Sequence, residues 1–106
     1  MIVALSISPS GSRLDGDAAS DGGVSEVVAE AIGIIRASGL PCETNAMFTN
    51  IEGDWDEVMA VVKRAVDVVA THYPRVGIVL KADIRPGHEG QLTAKVERVE
   101  EHLRER

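Results

Sequence analysis

The sequence predicts a mixed α+β domain in which a strand–helix–strand unit occurs twice and a further helix follows. Three observations lead to this prediction. Alternating β-branched segments open and close the main part of the chain, two stretches with apolar residues at helical spacing lie between short extended runs, and the charged C-terminal segment again has apolar residues at helical spacing. Such a repeated unit typically builds a four-stranded antiparallel sheet with helices on one face.

The first half of the chain contains a strand, a loop and a helix. Residues 2–8 alternate β-branched and small side chains, which predicts the first strand. Residues 9–24 are rich in Ser, Gly and Asp and lack apolar periodicity, so we expect a flexible acidic loop there. Ser25 is a suitable N-cap for a helix over 26–38.

The middle of the chain predicts two short strands and a long helix. Two extended runs lie between residues 40 and 52. Asp54 and Glu57 have the spacing of a capping box, and the apolar stripe that follows them ends before Pro74. We therefore expect the second helix to begin near Asp54.

The last part of the chain predicts a strand and a third helix. Residues 75–83 alternate between an apolar face and a mixed face, and 84–90 is rich in turn residues. The third amphipathic stripe consists of Leu92, Val96, Val99 and Leu103. The complete order is the βαββαβ arrangement of the ferredoxin-like fold with an extra C-terminal helix, in one domain over 1–106.

One face of the predicted sheet has no helix to cover it. Its residues are too apolar for solvent and too polar for a core, so we expect this face to pack on another subunit and to place a ligand at that interface. The residues expected on or near this face are Ala4, Ser6, Thr49, Val79 and Lys81.

Composition and charge exclude several classes of function. The net charge is -6, and the 11 basic residues are spread along the chain, so nucleic acid is not an expected partner. A single cysteine, Cys42, excludes an internal disulfide and a zinc site built from cysteines. The apolar N-terminal run is too short for a signal sequence or a membrane span, so a cytoplasmic location is expected.

Ionisable groups at the strand ends are the first candidates for a site. Glu52, Lys81 and Asp83 predict a half-buried polar network, and the alternative is a structural ion pair between Glu52 and Lys81. Trp55 in the first turn of the second helix either packs or stacks on a flat or cationic ring. These groups suit a flat, polar ligand.

The sequence offers no catalytic set. The three histidines, His72, His88 and His102, lack the spacing of a metal site. The serines lack a nucleophile elbow, and the glycines do not form a phosphate-binding loop. We therefore predict neither catalysis nor a metal or cofactor.

Several stretches resemble the small thiamine-binding protein family, the YkoF-like group. They are the opening strand through Pro9, the first helix with the Ser-Gly-Leu-Pro that ends at Pro41, the run Thr49 to Glu57, and the strand Arg75 to Arg85. The most specific combination is Ser-Gly-Leu-Pro followed by Thr-x-Ile-Glu-Gly and then by the strand with its lysine and aspartate. The acidic loop after the first strand is longer than the family's usual link.

The resemblance implies a ferredoxin-like fold, assembly as dimers or tetramers through the sheets, and binding of thiamine or its hydroxymethylpyrimidine moiety without transforming it. The role would be storage, delivery or sensing. Two alternatives stay open: a small enzyme of the dimeric α+β barrel type, and a structural or regulatory oligomer without a ligand. The candidate ligand-binding residues are Ser6, Thr49, Asn50, Glu52, Lys81 and Asp83, to which residue type adds Trp55.

Overall fold

A computed structural model describes residues 1–14 and 23–106 and confirms the predicted ferredoxin-like α+β fold with its C-terminal helix. The strands form one antiparallel sheet in the order β2-β3-β1-β4. The elements are β1 (Ile2–Ser10), α1 (Gly23–Ala37), β2 (Cys42–Thr44), β3 (Thr49–Glu52), α2 (Trp55–His72), β4 (Arg75–Asp83) and α3 (Gln91–Arg104).

Two predicted boundaries were wrong. β1 continues past the expected end at Ser8, because Pro9 still pairs with Val76 on the edge strand β4. α1 begins at Gly23, so Ser25 lies inside the helix and does not cap it. The predicted flexible loop 9–24 therefore overlaps both elements at its ends, and its residues 15–22 lie outside the described part of the chain.

The start of α2 agrees with the predicted capping box. The Glu57 carboxylate accepts a hydrogen bond from the backbone N–H of Asp54 at 3.3 Å. This contact satisfies a backbone donor that the first turn of a helix leaves free, so α2 begins at Trp55.

The core lies between one face of the sheet and the helices α1 and α2. Val3 and Leu5 of β1 are buried, and they pair with Ile51 and Thr49 of β3, which share their face. α1 and α2 cover this face with aliphatic side chains at helical spacing. Their buried members are Val27, Ala31, Ile35, Val58, Val61, Val62, Ala65 and Val69.

The opposite face of the sheet, which we call the open face, is formed by the alternate residues. In the described part of the chain α3 is the helix that reaches it, through contacts with β3. Within that part no residue of α3 is buried, and its apolar residues Val96, Val99 and Leu103 are exposed. The third helix is thus amphipathic as predicted, but its apolar stripe is not used in the core.

Candidate functional site

A row of side chains crosses the open face at Ala4. Asn50 of β3 and Lys81 of β4 lie on either side of Ala4, and Glu43 of β2 pairs with Asn50. Residues that face one another across strands share a sheet face, so these side chains point the same way. Ser6 lies two residues further along β1 on the same face. We call Ser6, Asn50 and Lys81, with Ala4 between them, the open-face patch.

The patch offers both donors and acceptors. The Asn50 amide donates a hydrogen bond to a Glu43 carboxylate oxygen at 3.2 Å, which leaves its carbonyl oxygen and its second N–H available. Ser6 supplies a hydroxyl and Lys81 an exposed ammonium. Because Ala4 is short, it leaves room between these groups for a flat molecule.

A second row lies one step along the strands, at the end of the sheet. There Ile2 pairs with Glu52 on one side and with Asp83 on the other. Both acids were predicted to line a ligand site. In the structure both acids instead contact α3, Glu52 through hydrogen bonds and Asp83 through an ion pair.

The buried carboxylate of Glu52 caps α3. It accepts hydrogen bonds from the backbone N–H groups of Gln91 at 2.8 Å and of Leu92 at 3.2 Å. The residue that precedes the helix, Gly90, has no side chain to do this. A negative charge is also stabilised at a helix N-terminus by the helix dipole. The alternative of a Glu52–Lys81 ion pair is therefore wrong, because the acid has other partners.

Asp83 forms an ion pair with Lys95 of α3, with 2.6 Å between the carboxylate oxygen and Nζ. The hydrogen bond from Lys95, and then its positive charge, lower the pKa of Asp83 below its usual value. Asp83 is exposed, so this pair orients α3 more than it stabilises the fold.

Thr49 lies on the helix-covered face and not on the open face, where it was expected. Its partner in β1 is the buried Leu5, and strand residues alternate strictly between the two faces. The Thr49 hydroxyl lies 3.2 Å from that of Thr44. Both threonines line a cavity of about 230 Å³ beside α1, which Ser6 also borders. The structure therefore does not bring Thr49 together with Asn50 and Lys81.

Trp55 lines a larger cleft of about 520 Å³ beyond the ends of β3 and β4. Trp55 is 55% exposed, so it does not serve as a core packing residue. Glu52 lines the same cleft, whereas the open-face patch does not. The predicted site residues therefore fall into two groups: Trp55 and Glu52 line the cleft, whereas Ser6, Asn50 and Lys81 belong to the open-face patch.

Sequence reasoning gave little weight to Arg85 and His88. Both line the Trp55 cleft and also a neighbouring cavity of about 180 Å³, where they meet Asp83. The Pro-Gly turn between them is the signal that could have marked them, because it returns the chain over the strand ends.

Two properties of the described residues bear on other functions. Across 1–14 and 23–106, no group of three or more His, Cys, Asp or Glu side chains could hold a metal ion. Over the same ranges, no helix has the length and apolar character to cross a membrane.

The fold and the open-face patch define a small ferredoxin-like domain with a polar sheet face. A family model described as thiamine-binding protein matches residues 3–100. The chain therefore belongs to the thiamine-binding protein family. This membership supports a thiamine-related role with a small-molecule ligand.

Individual relatives agree with the family. The UPF0045 protein Mb1933 of Mycobacterium bovis is 52% identical over 104 residues, which are 97% of this chain and 94% of that protein. The crystal structure of the hypothetical protein MJ1052 from Methanocaldococcus jannaschii matches with a TM-score of 0.76 at 35% identity, over 94% of this chain and 95% of that one.

A more distant structure supports the fold alone. The TM0486 protein of Thermotoga maritima, a candidate thiamine biosynthesis/salvage protein, matches with a TM-score of 0.70 at 23% identity. The match covers 91% of this chain and 96% of that one.

Proposed function

We propose that this protein binds thiamine or its hydroxymethylpyrimidine moiety on the open face, at an interface with a second subunit, without transforming it. The observation that carries the proposal is the open-face patch, in which Ser6, Asn50 and Lys81 surround Ala4 on a face that α1 and α2 do not cover. The role is storage, delivery or sensing.

The chemistry of the patch suits an aminopyrimidine. Such a ring has nitrogen acceptors and an exocyclic amine that donates. The Asn50 amide can pair with both kinds of group, the Ser6 hydroxyl can donate or accept, and Lys81 can donate to a ring nitrogen. The Glu43 carboxylate beside Asn50 adds an acceptor for the amine.

A second subunit is needed because Asn50 and Lys81 lie on a sheet surface and do not line the cavity that Ser6 borders. Small-molecule sites bury most of the ligand, and a flat sheet face alone does not. A second open face placed over the patch would cover the ligand and also remove the exposed Val79 from water. Glu52 and Asp83 hold α3 beside this site, so their role is to position the helix at the border of the site more than to bind the ligand.

Calorimetric titration with thiamine and with hydroxymethylpyrimidine tests the proposal. Ser6→Ala should weaken binding about 2- to 10-fold, the loss typical of one hydrogen bond. Asn50→Ala should weaken it at least as much. The matched control is Ser8→Ala, which makes the same change on the same face of β1, two residues away. Absence of binding at millimolar ligand, or equal effects of the two serine variants, would contradict the proposal.

Recovery of the ligand tests the non-catalytic part. After long incubation with the protein, mass spectrometry should find thiamine unchanged. His88 is the titratable ring in the two strand-end cavities, so turnover that depends on His88 would instead support the enzyme alternative.

A further inference from the structure

The Trp55 cleft leaves a large apolar surface in contact with water. Its volume of about 520 Å³ lies within the range of roughly 300–1,000 Å³ that small-molecule sites have. Trp55 and Ile84 are both more than half exposed there, and the half-buried Leu40 lines the same cleft. Exposed apolar surface inside a cleft of this size is typical of a binding site.

Two opposite charges border the same cleft without pairing with each other. Arg85 and Glu89 both line it, and within 1–14 and 23–106 neither side chain has a hydrogen bond or an ion pair. Asp83 shares a neighbouring cavity with Arg85, but its carboxylate already binds Lys95 at 2.6 Å. The Arg85 guanidinium and the Glu89 carboxylate are therefore both available to a ligand.

The turn that carries these charges is held at both ends. It follows β4 directly and leads into α3, whose first N–H groups are bound by Glu52. Within the turn, the backbone N–H of His88 donates to the Arg85 carbonyl at 3.2 Å, and Gly87 has a positive φ of 81°, which suits glycine. Groups on a fixed turn bind a ligand with a smaller loss of conformational freedom than groups on a mobile one.

His88 adds an acceptor to this side of the cleft. Its Nδ1 lies 3.3 Å from the carbonyl oxygen of Pro86, and a carbonyl oxygen only accepts, so Nδ1 carries the proton. In the neutral imidazole Nε2 is then an acceptor, which suits an ammonium group. The cleft thus offers donors at Arg85 and acceptors at Glu89 and His88.

We propose that the Trp55 cleft binds a free α-amino acid with a large apolar or aromatic side chain. The Arg85 guanidinium binds the carboxylate of this ligand, and Glu89 and His88 accept hydrogen bonds from its ammonium group. Trp55 and Ile84 pack against its side chain. The cleft is separate from the open-face patch, so this site does not depend on the proposed function.

Fluorescence of Trp55, the single tryptophan of the chain, tests the site with matched ligands. L-phenylalanine should shift the emission to shorter wavelength, with a dissociation constant of about 1 mM or tighter in calorimetry. 2-Phenylethylamine lacks the carboxylate and 3-phenylpropionate lacks the ammonium, so each should bind about tenfold more weakly. Absence of any response at about 10 mM L-phenylalanine, or equal binding of either analogue, would overturn the proposal.

Charge variants test the two sides of the cleft. Arg85→Gln and Glu89→Gln should each weaken binding of L-phenylalanine about tenfold, since each removes a charge-assisted hydrogen bond. The matched controls are Arg75→Gln at the far end of β4 and Glu97→Gln on the exposed surface of α3, which should bind like the wild type. Circular dichroism checks that each variant is folded. Folded Arg85 and Glu89 variants with wild-type affinity would contradict the proposal.

Titration with thiamine separates this site from the open face. Arg85→Gln and Glu89→Gln should keep the wild-type affinity for thiamine within about twofold, because neither residue lies in the open-face patch. A parallel loss of both ligands would assign them to one site and overturn the proposal of a separate amino-acid site. Binding of L-phenylalanine without binding of thiamine would support this site and contradict the proposed function alone.

Discussion

Replacing Glu52 by glutamine should release α3 from the sheet while the core stays folded. The carboxylate accepts the backbone N–H groups of Gln91 and Leu92, and both partners belong to the start of α3. In the described part of the chain α3 contributes no buried residue, so its attachment depends on this cap and on the Lys95–Asp83 pair. The change should therefore act locally.

The magnitude follows from these contacts. Glutamine keeps one carbonyl oxygen as an acceptor, but an NH2 group replaces the second carboxylate oxygen. This NH2 group is a donor and would face a backbone N–H group. The helix N-terminus also loses a nearby negative charge, which stabilises a helix by about 0.3–1 kcal/mol. A hydrogen bond to a charged group contributes about 1.5–3 kcal/mol to stability. Allowing for the acceptor that glutamine retains, we expect a local loss of about 1–3 kcal/mol, or about 5- to 150-fold in the opening equilibrium.

Hydrogen exchange followed by mass spectrometry measures this opening. Amides of α3 should exchange faster by that factor in the Glu52→Gln variant, whereas amides of α2 should keep their wild-type rates. Glu100→Gln is the matched control, because it makes the same chemical change on the exposed surface of α3. Exchange of α3 within twofold of the wild type, or equal acceleration of α2, would refute the argument that Glu52 caps the helix.

Three further predictions concern other parts of the molecule. In Lys95→Met the pKa of Asp83 should rise toward its ordinary value in an NMR titration, whereas Lys63→Met should leave it unchanged. The folded-state pKa of Asp83 is lowered, so its contribution to stability is fully present above the unfolded-state pKa. That contribution is lost as the pH falls through the folded-state pKa. This loss of stability in acid should be smaller in Lys95→Met. Thr49→Val and Trp55→Phe should change thiamine affinity by less than about twofold in calorimetry, since neither residue lies in the open-face patch; a loss comparable to that of Ser6→Ala would place the ligand elsewhere. Ile51→Ala should lower the free energy of unfolding in urea by about 2–5 kcal/mol, whereas Ile84→Ala at the exposed strand end should change it by no more than about 0.5 kcal/mol.

Periodicity predicted the fold because it reports burial directly. β1 alternates Val3 and Leu5 against Ala4 and Ser6, and the structure places the first pair in the core and the second on the open face. The same rule could have placed Thr49 correctly, but only with the register of β3 against β1. Cross-strand register depends on contacts between distant segments, and a single strand of four residues does not contain that information.

The partners of charged residues were harder to predict than the elements that carry them. Glu52 was expected in a half-buried polar network, with an ion pair to Lys81 as the alternative. The actual partners are backbone N–H groups about forty residues later in the chain, as the sequence separations of 39 and 40 show. Backbone donors have no sequence signature, so a cap supplied by a distant element is invisible in the sequence alone.

The open face therefore divides its polar residues between two tasks. In the row with Glu52 and Asp83 the carboxylates are satisfied by α3, so binding a ligand there would have to break contacts that hold the helix. In the row with Asn50 and Lys81, Lys81 is exposed and the Asn50 amide retains unused hydrogen-bonding groups. A ligand that binds the second row competes with water and not with the fold, so variants of Asn50 should reduce affinity without releasing α3. Variants of Glu52 should release α3 first and alter affinity only through that change.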